Sequence, residues 1–282
     1  AIVVPCLLQA GEVTSSSGYA LLDPIRSGNL TVFPVVASHS YDTGQFLTLD
    51  EGIRSGEVVV TESGQAQGLI RRRPNGRPIP HQEGGAQVNQ LVLVNNSNRP
   101  LLLLAGEIVT GGKQDRVIGK DRIVPAESDP VDLSVFCVEP GRWTAAEGKT
   151  DFGTARGEMA ALFAAPAVRS KAMGAKNQQQ VWDEVRKSQH AMASSEAVIG
   201  AGAAQTVETT SSYARVMGNK EVAKQVDSVA EPMQRNYESV IRQLRDKNAV
   251  GVVVAVNGAV AAAKEAAGVA GAAVASASST VL

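Results

Sequence analysis

The chain has 282 residues and a nearly balanced charge, with 27 Lys and Arg residues against 28 Asp and Glu residues. That balance excludes the strongly basic surface that binding to nucleic acid or to an anionic membrane requires, so we expect neither partner. Hydrophobic residues make up 44% of the chain and aromatic residues 4%, which is typical of a globular protein whose core is built from Val, Leu, Ile and Ala. We predict a single domain over residues 1–282.

The first part of the chain, residues 1–143, reads as β-rich. Its short runs of Leu and β-branched residues, mostly bounded by Gly, Pro, Asn or Asp, predict strands. These runs are LTVFPVV (30–36), EVVVTE (57–62), NQLVLVNN (89–96), RPLLLLAGEIVTG (99–111), DRIVPA (121–126) and VDLSVFCVE (131–139). One helix is predicted among them at TLDEGIRSG, where Thr48 and Glu51 form a capping box and Gly56 ends the helix.

The N-terminal segment AIVVPCLL is expected to be an opening strand, because it is too short and too interrupted by Pro5 to be the apolar region of a signal peptide. We favour a cytoplasmic location, with export after cleavage of a leader as the alternative. The chain has two cysteines, Cys6 and Cys137, which is too few for a disulfide framework. A single disulfide bridge between them remains an open alternative.

A helical part is predicted over residues 144–248. Apolar residues recur at steps of three and four in segments 177–192 and 219–248, and Pro232 should kink the second helix or begin a new one. In the β-rich part, the loop IRRRPNGRPIPHQEGG (70–85) carries an Arg71–Arg73 run, which we interpret as a solvated surface rather than as an anion site.

The last part, residues 249–282, begins with VGVVVAVNGAVAAA, a predicted hairpin that turns at Asn257–Gly258. The Ala- and Gly-rich remainder is not a membrane span, because Lys264 and Glu265 interrupt it. The order of elements predicts an α+β fold, with a mixed or antiparallel sheet in the first half, a helical segment and a closing hairpin that returns to a sheet.

The segment GEIVTGGKQDR (106–116) is the first candidate for a site, since glycines and charges follow an apolar run. It is not a phosphate-binding P-loop: Glu107 stands where that motif needs its first Gly, and Gln114 stands where it needs Ser or Thr. No dinucleotide fingerprint of the form G-x-G-x-x-G follows a strand here. The chain therefore predicts no nucleotide cofactor of either familiar kind.

Two interpretations of this segment remain open. Gly111 and Gly112 can bring backbone N–H groups close to a ligand, Lys113 and Arg116 offer cationic contacts with Gln114 between them, and a partly desolvated Glu107 can serve as a base. Alternatively, the glycines form a bulge or turn and the charges pair across a sheet edge. The segment by itself favours the second interpretation.

A second polar cluster, FCVEPGRW (136–143), ends another apolar strand. Glu139 supplies a second candidate base, Arg142 an anion contact, and Trp143 a flat face for a base or sugar. Cys137 is more simply a small buried core residue than a nucleophile. We predict that the tips of the two strands converge on one cleft.

No metal site or cofactor is expected. His39, His81 and His190 have no second His or Cys at the spacing of metal ligands, and the motif H-E-x-x-H is absent. No G-x-S-x-G sequence nominates a serine nucleophile.

With these residues in view, the chain resembles a largely uncharacterised, mainly bacterial family, the ADP-ribosylglycohydrolase and rhodanese-phosphatase-superfamily-associated protein domain. The resemblance covers most of residues 29–260 and is carried by NLTVFPV, FLTLDEGIRSG, VVVTE, NRPLLLLAGEIVTGGKQDRVI, VPAESDPVDLSVFCVEPGRW, NQQQVWDEV and VGVVVAVNGAV. It departs from the family over residues 261–282, where Ala, Gly and Ser replace a Phe-containing segment and a Trp- and Leu-rich helix. The resemblance implies a link with ADP-ribose or NAD-derived metabolites.

Three hypotheses follow. The first is a site that binds or hydrolyses a phosphorylated, nucleotide-like metabolite, with Lys113, Arg116 and Arg142 facing a diphosphate. The second is a non-enzymatic scaffold or self-assembling module, a homo-oligomer, since no nucleophile or cofactor motif is recognised. The third, and weakest, is redox chemistry at Cys137.

Overall fold

The computed structural model describes residues 18–39, 44–65, 86–142, 151–154 and 163–265. The predictions for the opening strand, for Cys6, for Arg71–Arg73, for Trp143 and for residues 266–282 therefore lie outside the described residues.

The chain forms an α+β fold, as predicted. Its strands are β1 (Tyr19–Leu21), β2 (Ile25–Ser27), β3 (Leu30–Ala37), β4 (Leu47–Thr48), β5 (Val58–Glu62), β6 (Gln90–Asn95), β7 (Leu101–Leu103), β8 (Ile108–Gly111), β9 (Arg116–Ile118), β10 (Arg122–Val124), β11 (Val131–Cys137), β12 (Phe152–Thr154), β13 (Ala249–Val256) and β14 (Ala259–Glu265). Its helices are α1 (Leu49–Ser55), α2 (Pro166–Ser170), α3 (Gln178–Ala193), α4 (Glu196–Gly200), α5 (Ala204–Thr209), α6 (Tyr213–Met217) and α7 (Lys220–Asp246), with a π-helical turn at Lys171–Ala175.

Two compact units divide the chain, one drawn from Ala1–Gly44 and Ser228–Leu282 and the other from Gln45–Asp227. In the first unit, antiparallel strands run in the order β1-β3-β13-β14, and β2 also pairs with β3. The predicted hairpin is confirmed: Asn257 and Gly258 both have positive φ, of 52° and 82°, as a tight turn between twisted strands requires. The single-domain organisation stays a prediction.

In the second unit, a sheet with the strand order β12-β8-β9-β11-β6-β5 curls until its two edge strands meet at an antiparallel bridge between Thr61 and Asp151. We call it the closed sheet. Side chains alternate along its strands, so Val60, Val109 and Leu133 lie with the inner core while Ile108 and Val117 join a second core with the helices α2, α3 and α6. A small sheet, β10-β7-β4, adds Leu47, Leu101 and Val124 to the inner core.

The predicted strand 99–111 is two strands in the structure, and this prediction was wrong. Gly106, at φ 95°, turns the chain after β7, and the carboxylate of Glu107 accepts the N–H of Leu104 at 2.8 Å. The two pieces then pair in different sheets, β7 with β10 and β8 with β9. Gly106 is disfavoured within a strand, but the apolar residues on both sides of it suit strands, so the run reads as a single strand.

The helical predictions are largely confirmed. Thr48 and Glu51 form the capping box of α1, and Gly56 ends it in the left-handed conformation. Helix α3 begins after Asn177, whose side chain accepts the N–H of Gln180. Helix α7 is one element with Pro232 inside it. Among the helices in the described part of the chain, none is both long enough and apolar enough to cross a membrane.

Candidate functional site

Carboxylates of the protein itself hold the loop between β8 and β9 in its conformation. Three of its backbone N–H groups each donate to a different carboxylate: Gly111 to Asp115 Oδ1 at 3.3 Å, Lys113 to Glu62 Oε1 at 2.9 Å, and Asp115 to Glu139 Oε2 at 3.0 Å. These amides belong to alternate residues, and each has its own acceptor. The internal carboxylates therefore fix the loop conformation.

Arg142 joins this loop to the end of β11. Its guanidinium lies 2.6 Å from Glu139 Oε2 and 3.4 Å from Asp115 Oδ1, and it donates to the carbonyls of Gly112 at 2.9 Å and Gly111 at 3.4 Å. The hydrogen bond with Glu139 raises the pKa of Arg142. The Arg142 side chain is 21% exposed, so the two strand ends place a cation at the surface beside buried acids. That these strand ends line one cleft stays a prediction.

Asp115 is the most heavily constrained carboxylate. It accepts a 2.6 Å hydrogen bond from Ser212 Oγ, which also caps α6 by accepting the N–H of Arg215. Burial raises the pKa of Asp115 and the nearby charge of Glu139 adds to the rise, while Ser212, the Gly111 N–H and Arg142 oppose it. The balance favours the protonated form more than in water.

Arg116 and Glu62 carry charge onto the inner face of the closed sheet. Arg116 is fully buried, and burial lowers the pKa of its guanidinium, an effect that the nearby Cys137, Glu62 and Asp115 oppose. Glu62 is 2% exposed, and its Oε2 has no hydrogen-bond partner among the described residues. A charged group at this depth is costly unless it is paired, so these two residues stabilise the site only together with their neighbours.

The glycines of the loop are required by close packing. A Cβ on Gly111 would lie 2.5 Å from the Asp151 carbonyl oxygen, and one on Gly112 would overlap the Phe152 ring and lie 2.8 Å from Glu62 Oε1. Both have positive φ, 130° and 45°. Protein atoms thus fill the space next to these glycines, as the turn interpretation of this segment expects.

Cys137 is a buried free thiol opposite Arg116 on the neighbouring strand. Burial raises its pKa, although hydrogen bonding by the Glu139 N–H and by Trp182 opposes the rise. The Gln178 side chain accepts the Cys137 N–H and donates to its carbonyl, both at 2.8 Å, and so takes the place of a strand partner. A thiol that is buried and held neutral is a poor nucleophile, in line with its interpretation as a core residue.

The structure separates Glu107 from this cluster. Glu107 precedes β8 and the loop follows it, so the strand rise places its Cα about 13 Å from that of Gly111. Its carboxylate holds the turn after β7. We call the residues that do meet, namely Glu62, residues 111–116, Glu139 and Arg142, the junction cluster.

Sequence reasoning missed three members of this arrangement. Glu62 ends an apolar strand just as Glu139 does, and Asp115 lies within the singled-out motif, so the same signal could have found both. Ser212 reaches Asp115 across 97 residues of sequence, and no local pattern marks it. Within the described residues, no group of three or more His, Cys, Asp or Glu side chains is arranged to hold a metal ion.

Replacing Gly112 with Ala should destabilise the protein by about 2–4 kcal/mol, because the methyl group meets Phe152 in addition to the strain at positive φ. Gly56→Ala is the matched control: Gly56 also has positive φ, 72°, but has open space around it, and should cost about 1 kcal/mol. Urea denaturation of both variants measures the difference. Equal losses would contradict the packing argument.

Asp115→Asn tests the direction of the Asp115 pKa. Because the folded state raises this pKa, it binds the proton more tightly than the unfolded chain, so this group's contribution to the free energy of unfolding falls as pH rises from about 4. The free energy of unfolding of the wild type minus that of the variant should therefore decrease as pH rises. Urea denaturation at several pH values between about 4 and 7 measures this difference. Asp183→Asn, on exposed α3 surface, is the control. A difference that increases with pH would show that Arg142 and Ser212 outweigh burial.

Comparison with known proteins places the chain in a family. The family model described as the ARG and Rhodanese-Phosphatase-superfamily-associated Protein domain matches residues 18–267. Neither a curated protein nor a solved structure matches the chain. Since the family model spans most of its length, the chain belongs to this family.

Proposed function

We propose that this member of the family binds a phosphorylated, nucleotide-like small molecule of the ADP-ribose or NAD-derived class at the junction cluster, either as a binding protein or as a hydrolase. One observation carries the proposal: Arg142 is partly exposed and sits on the Gly111–Gly112 turn directly above buried carboxylates. A planar guanidinium beside loop amides is a donor set suited to phosphate. The ADP-ribose class comes from the family resemblance.

Lys113 provides the second cation. Its backbone N–H and the Gly112 carbonyl belong to one peptide group, which Glu62 contacts at the N–H and Arg142 at the oxygen. The Lys113 residue is half-buried at the same turn. A diphosphate carries negative charge on two adjacent phosphoryl groups, and Lys113 and Arg142 would each pair with one of them. Arg116 supports the site from below, since it is fully buried.

For a hydrolytic role, the geometry favours Asp115 and Glu139 as the proton-transfer pair. Both lie within 3.4 Å of the same Arg142 nitrogen, and burial raises the pKa of Asp115. Two carboxyl groups with different environments are how one site supplies both an acid and a base near neutral pH. Glu107, the other predicted base, lies at the far end of β8 and would have to act on a different part of the ligand.

A non-enzymatic scaffold or assembly module is the second candidate, and one observation favours it. Arg142, Asp115 and Glu139 already bond to one another and to the loop, so the cluster can serve to hold the fold without any ligand. A self-associating module should show a molar mass that grows with concentration in light scattering of the full chain. A constant monomer mass would contradict assembly.

Isothermal titration with ADP-ribose tests the ligand-binding proposal. Arg142→Ala and Lys113→Ala should each weaken binding about tenfold or more, since a hydrogen bond to a charged group contributes about 1.5–3 kcal/mol. Lys187→Ala is the matched control, because Lys187 is 71% exposed on α3 away from the cluster; it should bind as the wild type does. Adenosine, which has no phosphate, should bind far more weakly than ADP-ribose.

Two outcomes would contradict the proposal. Equal affinity for ADP-ribose in the wild type and in Arg142→Ala would remove the cluster as the site. Equal affinity for ADP-ribose and adenosine would remove phosphate recognition.

A further inference from the structure

The carboxylate of Glu139 occupies a position made for an anion. Its Oε2 alone takes two donors, the Arg142 guanidinium at 2.6 Å and the Asp115 N–H at 3.0 Å. A guanidinium nitrogen together with a backbone amide is a donor pair with which proteins hold phosphoryl oxygens. Glu139 thus makes within the chain the contacts that a bound phosphate would make.

We infer that Glu139 is an internal stand-in for the ligand, and that a phosphoryl group of the ligand takes its place on Arg142 and the Asp115 amide. This inference rests on the function proposed above and deepens it, because it names the subsite and assigns Glu139 a competing role. It predicts that Glu139 weakens binding of the anion it resembles.

Arg142 is positioned to stay when Glu139 leaves. Its Nη1 donates to the Gly112 carbonyl and its Nη2 reaches the Gly111 carbonyl and Asp115 Oδ1. These contacts hold the guanidinium against the loop independently of Glu139. The donors of the subsite therefore remain in place for an incoming anion.

Glu139 is held by fewer contacts than Asp115, although both side chains are buried. Its Oε2 contacts Arg142 and the Asp115 N–H, whereas Asp115 contacts Arg142 and also accepts a hydrogen bond from Ser212. Glu139 lies beyond the end of β11, and Gly141 follows it at φ 95° with no described atom within 4 Å of its Cβ position. A rotation of the Glu139 side chain toward this turn would vacate the subsite.

Gln114 gives an independent indication of a ligand next to Glu139. It is 5% exposed, its Nε2 donates to the Glu139 carbonyl, and its Oε1 has no hydrogen-bond partner in the described part of the chain. A buried acceptor without a donor is costly. A phosphate that carries a hydroxyl, either its own or that of an attached sugar, would supply the missing donor, so the ligand class is a hydroxyl-bearing phosphate.

The test is isothermal titration of inorganic pyrophosphate into the wild type and into Glu139→Gln. Removal of the competing charge should tighten binding about tenfold. Adding Arg142→Ala to the Glu139→Gln chain should abolish that gain, because the same guanidinium holds both anions. Glu208→Gln, which removes a charge from a side chain that is 60% exposed, is the matched control and should leave the affinity unchanged.

A second variant, Glu139→Ser, is included because a Gln side chain at position 139 can itself occupy the subsite. Thermal denaturation shows whether each variant is folded. Weaker or unchanged binding in both folded Glu139 variants would overturn the inference while leaving the proposed function standing. An equal gain in Glu208→Gln would also overturn it, since the effect would then be one of net charge. Pyrophosphate and ADP-ribose binding absent from the wild type and from every folded variant would instead refute the proposed function itself.

Discussion

The β8–β9 loop depends on a single physical constraint, namely that its backbone N–H groups must find hydrogen-bond acceptors. Three of them find carboxylates, from β5, from the loop itself and from the end of β11. Arg142 then forms ion pairs with two of these carboxylates and donates to the loop carbonyls. Because the groups are buried, removal of one member leaves another without a partner, and the cost of that loss is what keeps the loop in one conformation.

This arrangement has a direct bearing on function. A loop whose amides hold internal carboxylates is already an anion site, and the question is whether an external anion ever replaces one of them. All three carboxylates are buried, but Asp115 is tied to Ser212 as well as to Arg142, whereas Glu139 Oε2 is held by Arg142 and the Asp115 N–H. A structural role and a ligand-binding role therefore use the same contacts, and they differ in the mobility of one side chain.

Much of the fold could be predicted because its signals are local. The capping box at Thr48 and Glu51, the Asn257–Gly258 turn and the stripe of helix α7 each follow from a few neighbouring residues. The failures have a common cause. The strand predicted over residues 99–111 divides because Glu107 and Gly106 make a turn whose signal is outweighed by the apolar residues around it, and short elements such as β12 and α6 owe their existence to partners far away in the sequence.

The sequence by itself determined the chemistry that is available, namely two apolar strands that end in Gly, Lys, Arg and Glu, and it determined the match to one family over residues 18–267. It could not determine which groups meet, because ion pairs and hydrogen bonds between residues tens of positions apart leave no periodic trace. Closure of the sheet at Thr61 and Asp151 brings Glu62 to the loop, and helix α6 brings Ser212 to Asp115. Only the tertiary structure decided that Glu139 and Arg142 meet Asp115 and the Gly111–Gly112 turn, since distance in space follows from strand order and not from distance along the chain.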